Sequence, residues 1–387
     1  MLTSKMEPTF VQDRDFENLI PAIISEAAEL TNCIPLNIRS IIGDMVKSMN
    51  CYYSNLIEDH HTKPADIDRA LNGDYSDNTE KRNLQLEAKA HIEVQSLIDN
   101  NINNYNIVSQ DFFKWVHKEF YKRLPEDLRI IKDNKSKIIK NVSPGEFRDG
   151  DVQVGLHIPI QSSVINNYLK RFEEVYHPDK LSKYQQIIAI PCSHHRFTWI
   201  HPFFDGNGRV VRMFSQCYFN KIGLGSSLWS ISRGLARNVQ RYKQALINAD
   251  SKRKYDYDGR GNLSESGLKD FCIFFLEMAL DQIRYMKDLL GAGNLLKRME
   301  SYVNNETEEG NLLKGSFSLI REAFYSGEVE RGELQDITGY KERQARKVLA
   351  QLLKHKLLIS DSQKSPVRLH FTNEIAMKLF PKLYPEG

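Results

Sequence analysis

HPFFDGNGRVVR, from His201 to Arg212, is the stretch that organises the rest of the chain. It lies between two strongly apolar segments with helical patterning, YQQIIAIPCSHHRFTWI at 184–200 and VVRMFSQCYFNKIG at 210–223, so a short polar loop is held between two core elements. Gly206 and Gly208 flank Asn207 where the chain turns into the second helix. Glycine lets successive backbone N–H groups converge there, and a helix start adds partial positive charge, which together make an anion site with phosphate as the natural guest. His201 can take or give a proton near neutral pH, and Asp205 offers the hard carboxylate oxygen that magnesium prefers. Arg209 and Arg212 fall on roughly one helix face and can fork onto separate phosphoryl groups. Phe203 is expected to bury and fix the backbone between His201 and Asp205. Each feature alone is ordinary, since a histidine before proline is commonly structural and GNG is commonly a turn. Their coincidence in one loop carries the reading.

Outward from the loop, the chain reads as mostly helical. Residues 19–50 carry a helical stripe broken near Pro35, and 79–103 place Leu84, Leu86, Ala90, Val94, Leu97 and Ile98 near a 3.6-residue period. A helix over 110–122 ends before Pro125, and the polar, glycine-containing text SPGEFRDG and DVQVG within 137–155 predicts a hairpin. Further helices are expected at 162–176, 184–200, 232–249 and 264–290, with Pro191 kinking or interrupting the second. Residues 299–315 turn polar enough for a boundary, although Leu295, Leu296 and Tyr302 can carry a helix into it. Beyond it, SFSLIREAFYSG, RGELQDITGY, KERQARKVLAQLLKHKLLI and DSQKSPVRLHFTN predict helix, helix, longer basic helix and short hairpin. That order resembles a winged helix-turn-helix, with Gly339 at the tight turn before a helix over 341–354. The fold class is therefore mainly α: a helical bundle with a β-hairpin and an appended winged-helix-like unit.

Composition bounds the function. A chain of 387 residues suits two or three packed units, and 41% hydrophobic with 27% charged residues, 13 prolines and 21 glycines excludes collagen-like, mucin-like and globally disordered classes. Fifty-three basic against 50 acidic side chains leave +3, too balanced for a surface coated for nucleic acid but compatible with a local basic module. The five cysteines are scattered and form no CxxC pair, which fits a reducing compartment. No stretch has signal-peptide or membrane-span character, so the expected location is the cytoplasm, with no membrane partner. DYDGRGNLSE at 256–265 superficially suggests calcium, but it lacks the EF-hand glutamate and puts Arg260 at a ligand position; a structured turn is expected.

The loop matches throughout the signature of the Fic (Fic/Doc) family, HxFx(D/E)(G/A)N(G/K)RxxR, and the chain resembles that family over about residues 50–290. GEFR at Gly145–Arg148 with the stretch Val152 to Pro159 looks like the family's flap, where His157 and Ile158 are flap candidates, and the helix Ala189 to Ile200 precedes the signature as it does in the family. The resemblance implies transfer of AMP from ATP to a Ser, Thr or Tyr hydroxyl of a target protein, with release of pyrophosphate. It implies that His201 deprotonates the hydroxyl, Asp205 binds Mg2+, Gly206, Asn207 and Gly208 cradle phosphates, and Arg209 and Arg212 hold the phosphate tail. The flap would align an extended target segment by strand addition. Gly208, where phosphorylating Doc-like members carry lysine, favours AMP transfer.

Upstream, YSNLIEDHHT at Tyr53–Thr62 resembles the family's inhibitory motif (S/T)xxxE(G/N), matched by Ser54 and Glu58 and departed from at Asp59. By that likeness Glu58 pairs with Arg212 and withholds it from ATP. Tyr242, with Ala249 and Asp250, occupies positions that the family places near adenine. The implied organisation is a helical region with the inhibitory motif at 1–105, a Fic catalytic domain at 106–295 and a winged-helix-like domain at 311–387. Partners are a target protein, the chain itself through self-modification, and a second copy in a homodimer. Two alternatives stay open: removal of AMP from a modified protein, and a DNA-binding regulator using Lys341, Arg343, Arg346, Lys347 and Lys354.

Overall fold

A computed structural model describes residues 4–10, 13–132, 138–155, 157–225, 227–259, 263–380 and 383–384. The N-terminal helices are α1 (Arg14–Asn32), α2 (Leu36–Ile57), α3 (Pro64–Leu71), α4 (Thr79–Asn101) and α5 (Gln110–Tyr121). Local chemistry sets their ends. Asp13, Asn78 and Ser109 accept backbone N–H bonds at the starts of α1, α4 and α5, and Pro35 stands immediately before α2, where the sequence predicts a break. The strands β1 (Ile130–Lys132) and β2 (Ile138–Asn141) pair antiparallel, Ile130 opposite Asn141 and Ile131 opposite Lys140.

The second strand of this hairpin falls at the start of the expected range 137–155 and its first strand lies upstream of it. The β-branched residues Ile130, Ile131 and Ile138 form the ladder, whereas the chain from Val142 to Gly150 runs in turns and bends. Lys137, at the start of the expected hairpin, lies outside the described residues.

The central layer contains α6 (Ile165–Tyr176), α7 (Lys183–Ile200), α8 (Asn207–Lys221), α9 (Ile231–Arg237), α10 (Val239–Ala249) and α11 (Glu265–Leu290). Helix α7 opens with a reciprocal cap: Ser182 Oγ accepts from Gln185 N–H, and the Gln185 side chain accepts from Ser182 N–H. It runs on through Pro191, so of the kink or interruption expected there the interruption does not occur: nearly every residue from Ile187 to Ile200 is buried and neighbouring helices hold it. The single helix expected over 232–249 is two, divided at Asn238. Asp258 accepts from the backbone of Lys254 and Ser266 and from Ser264 Oγ, which makes the segment after α10 a braced turn; Arg260 lies outside the described residues. Helix α1 packs along α11, α10 lies on α11, α2 crosses α9, and α7 packs on α8 at the centre.

Helix α12 (Ala292–Glu308) crosses the first half of the polar boundary, burying Leu295, Met299 and Val303. The C-terminal helix/sheet region follows: α13 (Ser316–Ser326), β3 (Glu328–Val329), α14 (Leu334–Thr338), α15 (Glu342–Lys354), β4 (Leu358–Ile359), β5 (Val367–Leu369) and α16 (Asn373–Leu379). Its antiparallel sheet has the order β3-β5-β4, so the expected two-stranded hairpin gains a third strand. Gly339 ends α14 in the left-handed region at φ 71°, where glycine avoids the Cβ clash. The region grips α2 at both ends: Asn37 donates to the Phe324 and Tyr325 carbonyls, and Tyr53 donates its hydroxyl to the Leu383 carbonyl.

Among the described residues no single helix is long and apolar enough to cross a membrane.

Candidate active site

The loop between α7 and α8 is held from three sides. His201 ends α7 in the left-handed region at φ 51°, a strained conformation for a non-glycine residue that the surroundings must impose. Arg148 imposes it. Its buried guanidinium donates to the carbonyls of His201 (2.8 Å), Gly150 (2.9 Å) and Ile160, and its own N–H donates to the Pro202 carbonyl (2.9 Å). Phe203 is fully buried and stacks on the His117 ring at 3.9 Å between centroids. His117 Nδ1 accepts from Gly145 N–H, so its Nε2 carries the proton and donates to the Asp205 carbonyl. Asn207 spends its amide on the loop, accepting from Phe203 N–H (3.0 Å) and donating to the Phe203 carbonyl (2.8 Å). The expectation that Phe203 anchors the backbone agrees with this geometry; Asn207 acts on the loop rather than reaching outward.

Asp205 accepts from Tyr121 O–H (2.7 Å) on one oxygen and from Gly206 N–H (2.7 Å) on the other. Gly206 stands before α8 at φ 79°, and a Cβ there would lie 2.7 Å from the Tyr121 ring, so the position admits only glycine without rearrangement. No side chain caps α8, which leaves its first-turn N–H groups without the usual partner. Burial, with the His157 ring and the Arg148 guanidinium nearby, lowers the His201 imidazole to about 4, so it is neutral at pH 7 with a lone pair to accept a proton.

The two arginines of the loop diverge. Arg212, with a side chain only 2% exposed, donates to Ser54 Oγ (2.9 Å), the Ser54 carbonyl (3.2 Å) and Glu58 Oε1 (2.6 Å). A Cβ on Gly208 would fall 2.2 Å from that same Glu58 oxygen, so the carboxylate lies directly over the first turn of α8. Burial disfavours the Glu58 charge, but Arg212 and Arg209 outweigh it and hold the carboxyl below its usual range. Arg209 instead lies over the Phe120 ring and donates to Glu87 Oε2 (3.0 Å), which also bonds His60 Nδ1 (2.6 Å). The Glu87 bond raises the His60 imidazole above its ordinary value. Asp59, the departure from the inhibitory pattern, stands at φ 61°, which is the physical reason glycine or asparagine suits the place.

The remaining candidates lie around this centre. In the flap, Val154 and His157 form a small bridge, His157 Nε2 bonds the Trp199 carbonyl (2.9 Å), its Nδ1 approaches Asp250 (3.3 Å), and Ile158 is 75% exposed. Asp250 thus joins the flap to His195 of α7, 2.9 Å from its other oxygen. Tyr242 is buried, and its hydroxyl bonds His194, which bonds Ser215 on α8. Sequence reasoning gave no role to Glu87, His60, Tyr121 or Arg148. Only Arg148 and His60 carried a signal, by adjacency to quoted motifs; Glu87 reads as one more charged position on a helix, and Tyr121 as one more aromatic.

A group of three or more His, Cys, Asp or Glu side chains able to enclose a metal does not occur among the described residues. Asp205 is the carboxylate of the loop that could offer an oxygen to a hard cation, whose other oxygens would come from phosphate and water. The uncapped, glycine-lined start of α8 with Arg212 beside it fits a phosphate, since a carboxylate already sits there.

Residues 108–219 match the Fic/DOC family. Curated relatives include the protein adenylyltransferase Fic of Drosophila willistoni, 22% identical over 248 residues, covering 62% of this chain and 45% of that protein. The counterpart from Drosophila virilis is 26% identical over 142 residues, covering 36% and 28%. The matches thus span less than half the length of either relative. Among solved structures, a Fic family protein from Desulfovibrio desulfuricans G20 shares the fold over 94% of this chain and 98% of its own, with TM-score 0.56 and 15% identity. A Fic domain containing signaling protein from Bacteroides thetaiotaomicron covers 70% and 95%, with TM-score 0.52 and 16% identity. The loop geometry and these likenesses agree: residues 108–219, which contain the loop, match the Fic/DOC family, and the chain is similar at low sequence identity to Fic adenylyltransferases and shares its fold with Fic-domain proteins.

Proposed function

We propose that the protein transfers AMP from ATP to a serine, threonine or tyrosine hydroxyl of a target protein and that Glu58 holds it in a low-activity state. One observation carries this reading: the Glu58 carboxylate occupies the anion position made by Gly208, the start of α8 and Arg212. A site that takes the chain's own carboxylate with a buried arginine is built for a phosphate, and the carboxylate excludes it while present.

In the reaction, His201 accepts the proton of the attacking hydroxyl, whose oxygen forms a bond to the α-phosphorus as the bond to the pyrophosphate oxygen breaks. Its neutral imidazole suits this step at pH 7. The first-turn N–H groups of α8 receive phosphate oxygens, Arg212 neutralises the departing charge once Glu58 withdraws, and Arg148 keeps His201 aimed. Asp205 would hold a magnesium ion, which would supply charge neutralisation and orientation of the phosphates when bound. Arg209 supports α8 through Glu87 instead of facing the phosphate tail. The exposed flap edge at Ile158 presents backbone for an extended target segment. Functionally, 1–105 would supply the inhibitory helix, 106–295 the chemistry, and 311–387 a winged-helix-like module.

The test is incubation with ATP and Mg2+ followed by intact mass measurement of wild type, His201→Ala and Glu58→Gly. Wild type should carry little AMP, Glu58→Gly should gain it on itself or on added lysate proteins, and Glu58→Gly/His201→Ala should lose that gain. Adducts that persist without His201, or none with Glu58→Gly, would refute the proposal.

A further inference from the structure

We infer that the C-terminal region binds duplex DNA, with the exposed face of α15 entering the major groove. Helix α15 is sharply two-sided. Ala345, Val348, Leu349 and Leu352 are buried in the C-terminal core, while Arg343, Arg346, Lys347, Ala350 and Lys354 are exposed at spacings of three and four, with exposed Lys341 preceding the helix. Four basic side chains therefore project from one side of a helix about 20 Å long at 1.5 Å per residue, and Lys341 adds a fifth charge at its N-cap. A single carboxylate, Glu342, lies among them and pairs with Arg346 at 2.6 Å, both largely exposed. An exposed pair of this kind exchanges readily for a phosphate contact.

The composition of that face selects the occupant. None of the large exposed apolar side chains among the described residues lies on α15, and Ala350 is the one apolar residue of its outer face. A protein partner needs aromatic or aliphatic anchors at the centre of its interface, and a membrane needs an apolar face to insert; α15 offers neither. A polyanion needs only aligned positive charge. A helix with its side chains is about 10–12 Å across and fits the major groove of B-form DNA, about 12 Å wide, whereas the major groove of duplex RNA is too deep and narrow to admit it. Helix α15 follows the left-handed turn at Gly339 and packs its buried face on α13, α14 and β4, so its basic face is the one left open. This charge lies far in sequence from the loop at 201–212 and stands independently of the proposed transfer reaction.

The test uses the full chain with a fluorescent duplex of random sequence, roughly 25 base pairs, in an anisotropy titration from 50 to 200 mM salt. Binding should weaken with salt along a log–log slope of about −3 to −4.5, the value for three to five neutralised phosphates. Arg346→Glu/Lys347→Glu should weaken binding at least tenfold at 50 mM salt and flatten the slope by about 2, with an unchanged circular dichroism spectrum. Arg346→Lys should bind within about threefold of wild type, because nonspecific binding reads charge. Duplex RNA of the same sequence should bind at least tenfold less tightly. Absence of DNA binding at 50 mM salt, binding indifferent to the double reversal, or equal affinity for duplex RNA would each overturn the inference.

Discussion

Replacing Glu58 by glutamine keeps the shape of the side chain and removes one charge, so it isolates the contact on which the resting state depends. Arg212 would keep Ser54 Oγ and the Ser54 carbonyl as neutral acceptors but lose its carboxylate partner at 2.6 Å. Breaking a fully buried ion pair costs about 3–5 kcal/mol, and an exposed pair is worth about 0–1 kcal/mol. With Arg212 2% exposed and Glu58 36% exposed, the pair lies between these limits, which sets the loss at about 1–3 kcal/mol. An anion that replaces Glu58 recovers that difference, so ATP should bind the variant about 5–150-fold more tightly than wild type, the ratio corresponding to that coupling. The assay is thermal unfolding with and without ATP and Mg2+, alongside intact mass. Glu58→Gln should melt several degrees lower alone, should gain more from ATP than wild type does, and should carry more AMP. An unchanged melting temperature together with an unchanged response to ATP would show that Glu58 does not contest the phosphate position.

Other outcomes follow from the same geometry. Glu87→Gln removes the carboxylate from Arg209 in a pair whose side chains are 7% and 10% exposed, and should cost about 3–5 kcal/mol in denaturant unfolding. His60 is raised above its ordinary 6.5 by Glu87, so its contribution is fully present below pH 6.5 and fades as pH rises through the higher folded value; wild-type stability should lose this increment above pH 6.5, and His60→Asn should flatten that limb. His201 lies at about 4, so AMP transfer by a Glu58→Gly protein should show no histidine limb near pH 6.5 and should fall only as pH approaches 4. Asp59→Gly relieves the left-handed φ of 61° and should raise stability by about 0.5 kcal/mol, the steric gain less glycine's entropy, seen as a small rise in melting temperature.

Local pattern made much of the architecture legible. Helix ends at Pro35, Ser109 and Ser182 are written in caps and breakers, whose partners lie within four residues. The hairpin was expected partly too far downstream because polar, glycine-rich text marks a turn without saying which flanking segment finds a partner; Ile130 and Ile131 found one in the strand beginning at Ile138. An interruption at Pro191 was one of the two outcomes expected because the cost of proline is local and the packing that keeps the helix continuous is not.

The sequence by itself determined the loop from His201 to Arg212: the order of proton acceptor, carboxylate, glycine turn and arginines is set by residues a few positions apart, whose relative placement the backbone fixes. Only the tertiary structure decided that the two arginines part company. Arg212 meets Ser54 and Glu58 from α2 and its end, more than 150 residues earlier, while Arg209 meets Glu87 from α4. Tyr121 and Arg148 likewise reach the loop from other elements to hold Asp205 and His201. Charges so distant along the chain have no fixed separation until helices pack, and a buried guanidinium then takes whichever carboxylate the packing delivers.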